Sequence, residues 1–394
     1  MVSESLLKEP MVRQGLDYFE GCLEKYVELI TEITQVPAPS NEEGPRVQYL
    51  EKKTKSMGFP VVKVDEVGNV LGFFPGKDPS RVIVSMAHMD TVFPIDTDLT
   101  VKRESNILAA PGVSDNSASV ACMLLLGKVF CRHLPLPHPV LLIANVGEEG
   151  LGDLRGARYF CDHVEDYDFE GFKLEPDKLI FLNIDGGMGH ITNSGVGSRR
   201  LRIEFTGQGG HSWGAFGNSS AIHGMGKAIG QIAKIQVPAS PKTTYNVGVI
   251  QGGHSVNSIA QSASMLLDMR SVAKEPLEEL EQKVIRILDT AACETDTQYK
   301  IEVVGDRPTG TLSSDSGYIR GLLALGKELG HDLSLGAGST DSNIPLSKGW
   351  PAVTMGFKKS ENGHKASEFL YIDSLVPGIK FALICFAGLL YDKF

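Results

Sequence analysis

Between residues 60 and 185 the chain alternates two patterns: apolar runs, and stretches whose apolar positions recur every third or fourth residue. The runs "VVKVDEVGNVLGFF", "RVIVSMA", "HPVLLIANV" and "KLIFLNI" predict strands. Between the second and third, "DNSASVACMLLLGKVFCRH" places Val120, Met123, Leu124, Gly127 and Phe130 at helical spacing. Upstream, residues 16–34 read as an amphipathic helix that ends before "VPAPSNEEG", and a second helix is expected from Glu42 to Met57. Apolar strands alternating with helices predict an α/β fold, with a mostly parallel sheet covered on both faces.

From about Ser198 the rhythm changes. "RLRIEFTG", "TYNVGVIQG", "SASMLLDMRS" and "QYKIEVVG" read as strands, and "NSSAIHGMGKAIGQIAKI" and "EPLEELEQKVIRILDTAA" as helices. Their order, β-α-β-β-α-β, predicts a small ferredoxin-like domain. The helix–strand alternation resumes after "DRPTG". The expected organisation is one α/β domain, residues 1–197 plus 309–394, interrupted by an inserted domain at 198–308. No internal repeat or low-complexity tract is visible.

Composition narrows the function classes. A chain of 394 residues, 42% hydrophobic and 22% charged, has ample material for a globular core. A formal net charge of −10 argues against nucleic acid and anionic membrane surfaces as partners. The apolar stretch Phe381 to Tyr391 is too short to span a bilayer and is expected to be a buried helix. "MVSESLLKEP" lacks the features of a signal peptide, and six scattered cysteines without a CxxC pair are expected to be reduced core residues, which points to the cytoplasm.

In an open α/β sheet, ligands bind beyond the carboxyl ends of the strands, so the residues after each apolar run carry the interest. The first run ends in His88 and Asp90. Asp115, in "GVSDNS", stands at or beside the start of the next helix. Glu148 and Glu149 follow "VLLIANV", Asp185 follows "LIFLNI", and His364 lies in a loop after the last apolar strand. Singly, each has a structural explanation, such as a turn residue or a helix cap. Their coincidence at the strand ends does not. Two imidazoles and several carboxylates without cysteine suit zinc or a similar divalent ion, and exceed the needs of one tetrahedral site. A bridged metal pair, about 3.5–4 Å apart, uses them all.

The segments "HMDTV", "GVSDNSASV", "GEEGLGDLRGAR", "NIDGG", "GQGGHS", "NSIAQSASMLLDMR", "GSTDSNIP" and "NGHKASEF" occur in the order found in a zinc exopeptidase and deacylase family. That family includes peptidase T, carboxypeptidase G, acetylornithine deacetylase and aminoacylase, and the chain resembles it over nearly its whole length after residue 80. The resemblance implies a catalytic α/β domain with an inserted dimerisation, or lid, domain. It implies two Zn2+ per chain, with Co2+ or Mn2+ as alternatives: His88 and Asp185 on one ion, Glu149 and His364 on the other, and Asp115 between them. Glu148 would be the general base. Asp90 would orient His88, by direct contact or from beside it. His211 would stabilise the oxyanion in the partner subunit's site, and Asn257 and Arg270 would contact substrate. The setting of Asn257 departs from the family, which has Pro where Ala260 stands. Asp341 is assigned no role.

The function so implied is hydrolysis of terminal peptide bonds in short peptides by a homodimer. Family members with Asp at the position of Asp185 are mostly aminopeptidases and di- or tripeptidases. The alternative is an N-acyl amino-acid amidohydrolase or a carboxypeptidase on the same scaffold. A metal-free scaffold would be expected to have lost a ligand or the base, and a phosphoesterase would be expected to carry basic residues for phosphate.

Overall fold

Four strands of aliphatic residues, each buried along its whole length, form the parallel centre of a nine-stranded sheet: β1 (Val82–His88), β2 (Val140–Asn145), β3 (Leu179–Ile184) and β4 (Ala352–Met355). They are the framework of a computed structural model that describes residues 2–394. Their order in space is β2-β1-β3-β4, all parallel. Helices cover both faces, which is why these strands read as unbroken apolar runs instead of alternating ones. On one face, Ile83 and Ala87 join a core that includes helix α1 (Ser119–Phe130) and the C-terminal helix α2 (Leu375–Leu390). On the other, Val82, Val84 and Met86 pack with Phe160 and Phe181.

The edges of the sheet are mixed. The run "VVKVDEVGNVLGFF" forms two antiparallel strands, Val61–Val64 and Val70–Phe74. The break lies at Asp65, whose Oδ1 accepts the backbone N–H groups of Val67, Gly68 and Asn69 and so closes a tight turn. Beyond β4, His190–Gly195 runs antiparallel to it and Ser334–Gly338 runs parallel to His190–Gly195.

The helix expected over 16–34 is two helices, Pro10–Glu20 and Leu23–Thr34, separated by Gly21 and Cys22. Pro at the first turn starts one helix and Gly ends it, a punctuation that the apolar periodicity runs through. Helix Gly44–Ser56 lies inside the span expected for it. The segment Ile372–Leu390 is long and apolar enough to cross a membrane by length and composition, but most of it is buried inside the fold. Cys22, Cys122, Cys161 and Cys385 are buried as expected, whereas Cys293 is exposed on helix Lys274–Glu294, because it falls outside that helix's apolar stripe.

The chain up to Gly195 and from Thr311 to Phe394 makes one compact unit, and Val196–Gly310 makes a second. The second has a four-stranded antiparallel sheet of Gly197–Thr206, Thr243–Gly252, Ser262–Ser271 and Gln298–Arg307. In chain order these strands lie 2-3-1-4 across the sheet, and helices Ala221–Ile232 and Lys274–Glu294 cover one face.

Candidate metal centre and active site

Because β1 to β4 are parallel, their carboxyl ends share one edge, and the loops that leave that edge bring the acidic residues and imidazoles together. His88 ends β1 and is buried. Its Nδ1 lies 3.1 Å from the backbone oxygen of Asp90, which fixes the ring and directs Nε2 at two carboxylates. Asp115 Oδ1 is 3.1 Å from that Nε2, and Asp185 Oδ2 is 4.0 Å away. The other oxygen of Asp115, Oδ2, lies 3.1 Å from His364 Nε2, which is also 2.8 Å from Glu149 Oε1. Each oxygen of Asp115 therefore faces a different imidazole.

The local backbone is built for this convergence. Asp115 sits in an irregular turn, Val113–Ala118, just before α1, and the Asp115–Asn116 peptide is cis. Gly147, with φ of 64°, turns the chain sharply out of β2 in a conformation that favours glycine and delivers Glu148 and Glu149 to the edge. Both glutamates are buried. His364 reaches the cluster from a loop in which it adopts φ of 64° itself, uncommon for a residue with a side chain.

Electrostatics follow from the crowding. Burial opposes charge on His88, yet Asp115, Asp90 and Asp185 outweigh it and raise its pKa well above the ordinary value. Hydrogen bonds to Asp115 and Glu149 push His364 up to about 11. Asp115 is held well below the usual carboxylate range by the two imidazoles, against the effect of burial. Asp185 is raised, by burial and then by the charge of Asp115. Two imidazoles set against three carboxylates leave a surplus of negative charge that divalent cations neutralise. His88, Asp115 and Glu149 each offer a donor atom within 4.8 Å of the others. Nitrogen and oxygen donors of this kind fit zinc and its near neighbours.

Asp90 stands beside the His88 ring and has further partners. Its backbone oxygen makes the close contact with His88 Nδ1, and its Oδ1 stands 3.5 Å off. The carboxylate also accepts the N–H groups of Glu148 (2.9 Å) and Glu149 (3.0 Å) and the hydroxyl of Ser40 (2.6 Å). It thus sets the turn that carries Glu148 and Glu149.

Three residues escape the sequence reading. Glu368, fully buried, accepts the N–H groups of Gly112, Ser114 and Asp115 and the Ser114 hydroxyl, and so fixes the Asp115 turn. Its position four residues after His364 in "NGHKASEF" was the available signal. Arg46, also buried, donates to the backbone oxygens of Thr34, Val36 and Met89; burial lowers its pKa to about 10, with Asp90 opposing the shift. Lys358 donates to Gly186 O (2.9 Å) and Ser119 Oγ (3.2 Å) and places a buried positive charge near Asp115 and Asp185.

The remaining expected residues lie in the second unit. His211 belongs to a short strand, Gly210–His211, paired with Ser258–Ile259. Its Nδ1 accepts the N–H groups of Trp213 (3.2 Å) and Gly214 (3.3 Å), so a neutral ring carries its proton on Nε2, and the residue is exposed. Asn257 is in the neighbouring loop and accepts from Ser212 N at 3.0 Å. Arg270 is engaged within its strand: its Nε donates to Asp268 at 2.7 Å, and Asp268 also accepts from Arg200.

Residues 84–385 match the model of peptidase family M20/M25/M40. The chain belongs to that family. Its relatives include an acetylornithine deacetylase of Myxococcus xanthus, 24% identical over 361 residues that cover 84% of this chain and 88% of the relative. Among solved structures, the aminopeptidase PepT of Bacillus cereus ATCC 10987 superposes with a TM-score of 0.72 at 22% identity, covering 93% of this chain and 98% of that one. A tripeptidase of Staphylococcus aureus subsp. aureus Mu50 gives 0.75 at 20% identity, covering 94% and 99%. At these identities the superpositions show the fold. Family membership makes the protein a hydrolase of peptide or amide bonds, and the metal-dependence of the family agrees with the donor cluster.

Proposed function

We propose that the protein is a dinuclear zinc exopeptidase that removes a terminal residue from short peptides, in the manner of an aminopeptidase. The observation that carries the reading is the division of Asp115 between two imidazoles, each with its own further carboxylate. His88 and Asp185 would hold one ion, His364 and Glu149 the other, with Asp115 bridging. Ions held there supply Lewis acidity, which polarises an amide carbonyl and makes water a better nucleophile. The chain does the rest. Glu148 accepts a proton from the attacking water and returns it to the departing nitrogen, so that a new C–O bond replaces the C–N bond. Asp90 holds Glu148 and Glu149 in place through their backbone. His211, in a homodimer formed through the inserted unit, donates a hydrogen bond from Nε2–H to the developing oxyanion of the other subunit's substrate. The resemblance of Asp185 to the aspartate of family aminopeptidases supports this substrate class, as does the likeness to PepT. A cytoplasmic location is part of the reading.

The second reading, an N-acyl amino-acid amidohydrolase, is favoured by the acetylornithine deacetylase relative. One experiment separates the two: assay free di- and tripeptides against N-acetyl amino acids with zinc-loaded protein. Cleavage of peptides with a free amino end supports the exopeptidase, and exclusive cleavage of acyl amino acids replaces it. Glu148→Ala is expected to lower kcat by about 10²–10⁴-fold while two metals stay bound. Full activity with metal retained would remove Glu148 from the mechanism.

A further inference from the structure

The loop that carries His211 reads "GQGGHSWGAFGN", and its two aromatic rings are almost wholly exposed. Trp213 is 89% exposed and Phe216 is 91% exposed, against 62% or less for the other exposed aliphatic and aromatic side chains of the chain except Val256, which stands fully exposed beside Asn257. The turn beneath the rings is well braced. Ala215 N donates to His211 O (2.8 Å), Asn218 N to Ala215 O (3.1 Å), and Asn218 Nδ2 to Gly209 O (2.8 Å). With the two bonds to His211 Nδ1, these tie the imidazole to the backbone that carries the two rings. A loop that ordered in its backbone could have turned its aromatic residues inward or replaced them with polar ones. Large exposed apolar groups mark contact sites, and here they flank an exposed imidazole whose Nε2 is left to donate.

We propose that Trp213 and Phe216 form the subsite for a large apolar side chain, so that the preferred substrates are short peptides with a leucine-like or aromatic residue beside the scissile bond. The proposal rests on the reading that His211 acts at the scissile carbonyl. Two residues of chain span at most about 7 Å between Cα atoms, so Trp213 cannot lie far from whatever His211 touches. An aromatic ring supplies broad contact area at low entropic cost, which suits a subsite that closes over substrate.

The chain has two tryptophans, and Trp350 stacks on Phe181 at 6.0 Å in the other unit, so Trp350→Phe leaves Trp213 as the sole indole. In a Trp350→Phe, Glu148→Ala protein loaded with zinc, Leu-Leu and Phe-Phe are expected to shift the emission to the blue, and Gly-Gly to leave it unchanged. In otherwise unaltered protein, Trp213→Ala/Phe216→Ala is expected to lower kcat/KM on Leu-Leu by about 10- to 100-fold and on Gly-Gly by less than about 3-fold. Metal content and oligomeric state should not change. An equal loss on both peptides, or an emission that no peptide moves, overturns the proposal. So does dissociation into monomers with selectivity intact, which would assign the rings to a subunit contact. Full activity of His211→Ala would remove the reading beneath it, and the emission response would then still decide whether the rings touch substrate.

Discussion

Among the described residues, His364 is the one imidazole paired with Glu149, and the proposed second ion depends on it. His364→Ala is expected to reduce bound zinc from about two per chain towards one, measured by elemental analysis after dialysis. A stoichiometry that stays at two would break the ligand assignment. Asp341 makes a different case. It is buried, its Oδ1 has no hydrogen-bond partner, and burial pushes its pKa up to about 7, with Asp185 and Asp90 adding to the shift and His88 and Asn145 opposing it. The folded protein therefore holds this proton more tightly than the unfolded chain, whose carboxyl titrates near 3.8. Stability is lost as pH rises between those values, so the cost is nearly complete at pH 8 and small near pH 4. Chelator-treated Asp341→Asn should melt at a higher temperature than chelator-treated wild type at pH 8, with the advantage gone near pH 4. Equal melting at pH 8 would show that the carboxyl ionises without penalty.

Elements rather than single residues decide what the sequence could disclose. His88, Glu148, Glu149 and Asp185 were legible because each directly follows an apolar strand, and parallel strands send such residues to one edge. Glu368 was not, because its partners are backbone N–H groups around Asp115, 253 positions earlier, and no local spacing encodes such a pairing. Arg46 was hidden for a similar reason: a charged residue on a helix is expected to be solvated, and only the fold shows three carbonyl oxygens around it. The break at Gly21 was lost because apolar periodicity continues through it. The Asp90 clamp joins three elements, β1, the turn after β2, and the loop at Ser40. Asp90→Ala leaves two buried N–H groups without an acceptor, at about 1–3 kcal/mol each. Melting temperature and zinc content should fall together; a stable variant that still binds two metals would reduce the clamp to a minor support.

For the whole molecule, the proposed homodimer makes a prediction that no single chain can satisfy. His211→Ala and Glu148→Ala proteins should each be nearly inactive, and mixing them under conditions of subunit exchange should restore activity. A mixed dimer joins the intact Glu148 of one chain to the intact His211 of the other and regains one of two sites. Demonstrated exchange without recovery would mean that His211 does not act across a subunit boundary.

The second unit leaves the first after Gly195 and the chain returns at Thr311, and those two points are fastened together. Leu312 N donates to Asn193 O at 2.9 Å, Asn193 Nδ2 to Leu312 O at 2.8 Å, and the hydroxyls of Ser194 and Thr311 meet at 2.8 Å. The insertion is thus a cassette whose two leads emerge side by side, while the five proposed metal ligands and the base all lie outside it. A cassette of that kind can be remodelled at one seam, altering the rings and imidazole proposed to meet the substrate without moving a proposed ligand. On the proposed reading, catalysis and substrate preference would then sit on separate stretches of the same chain.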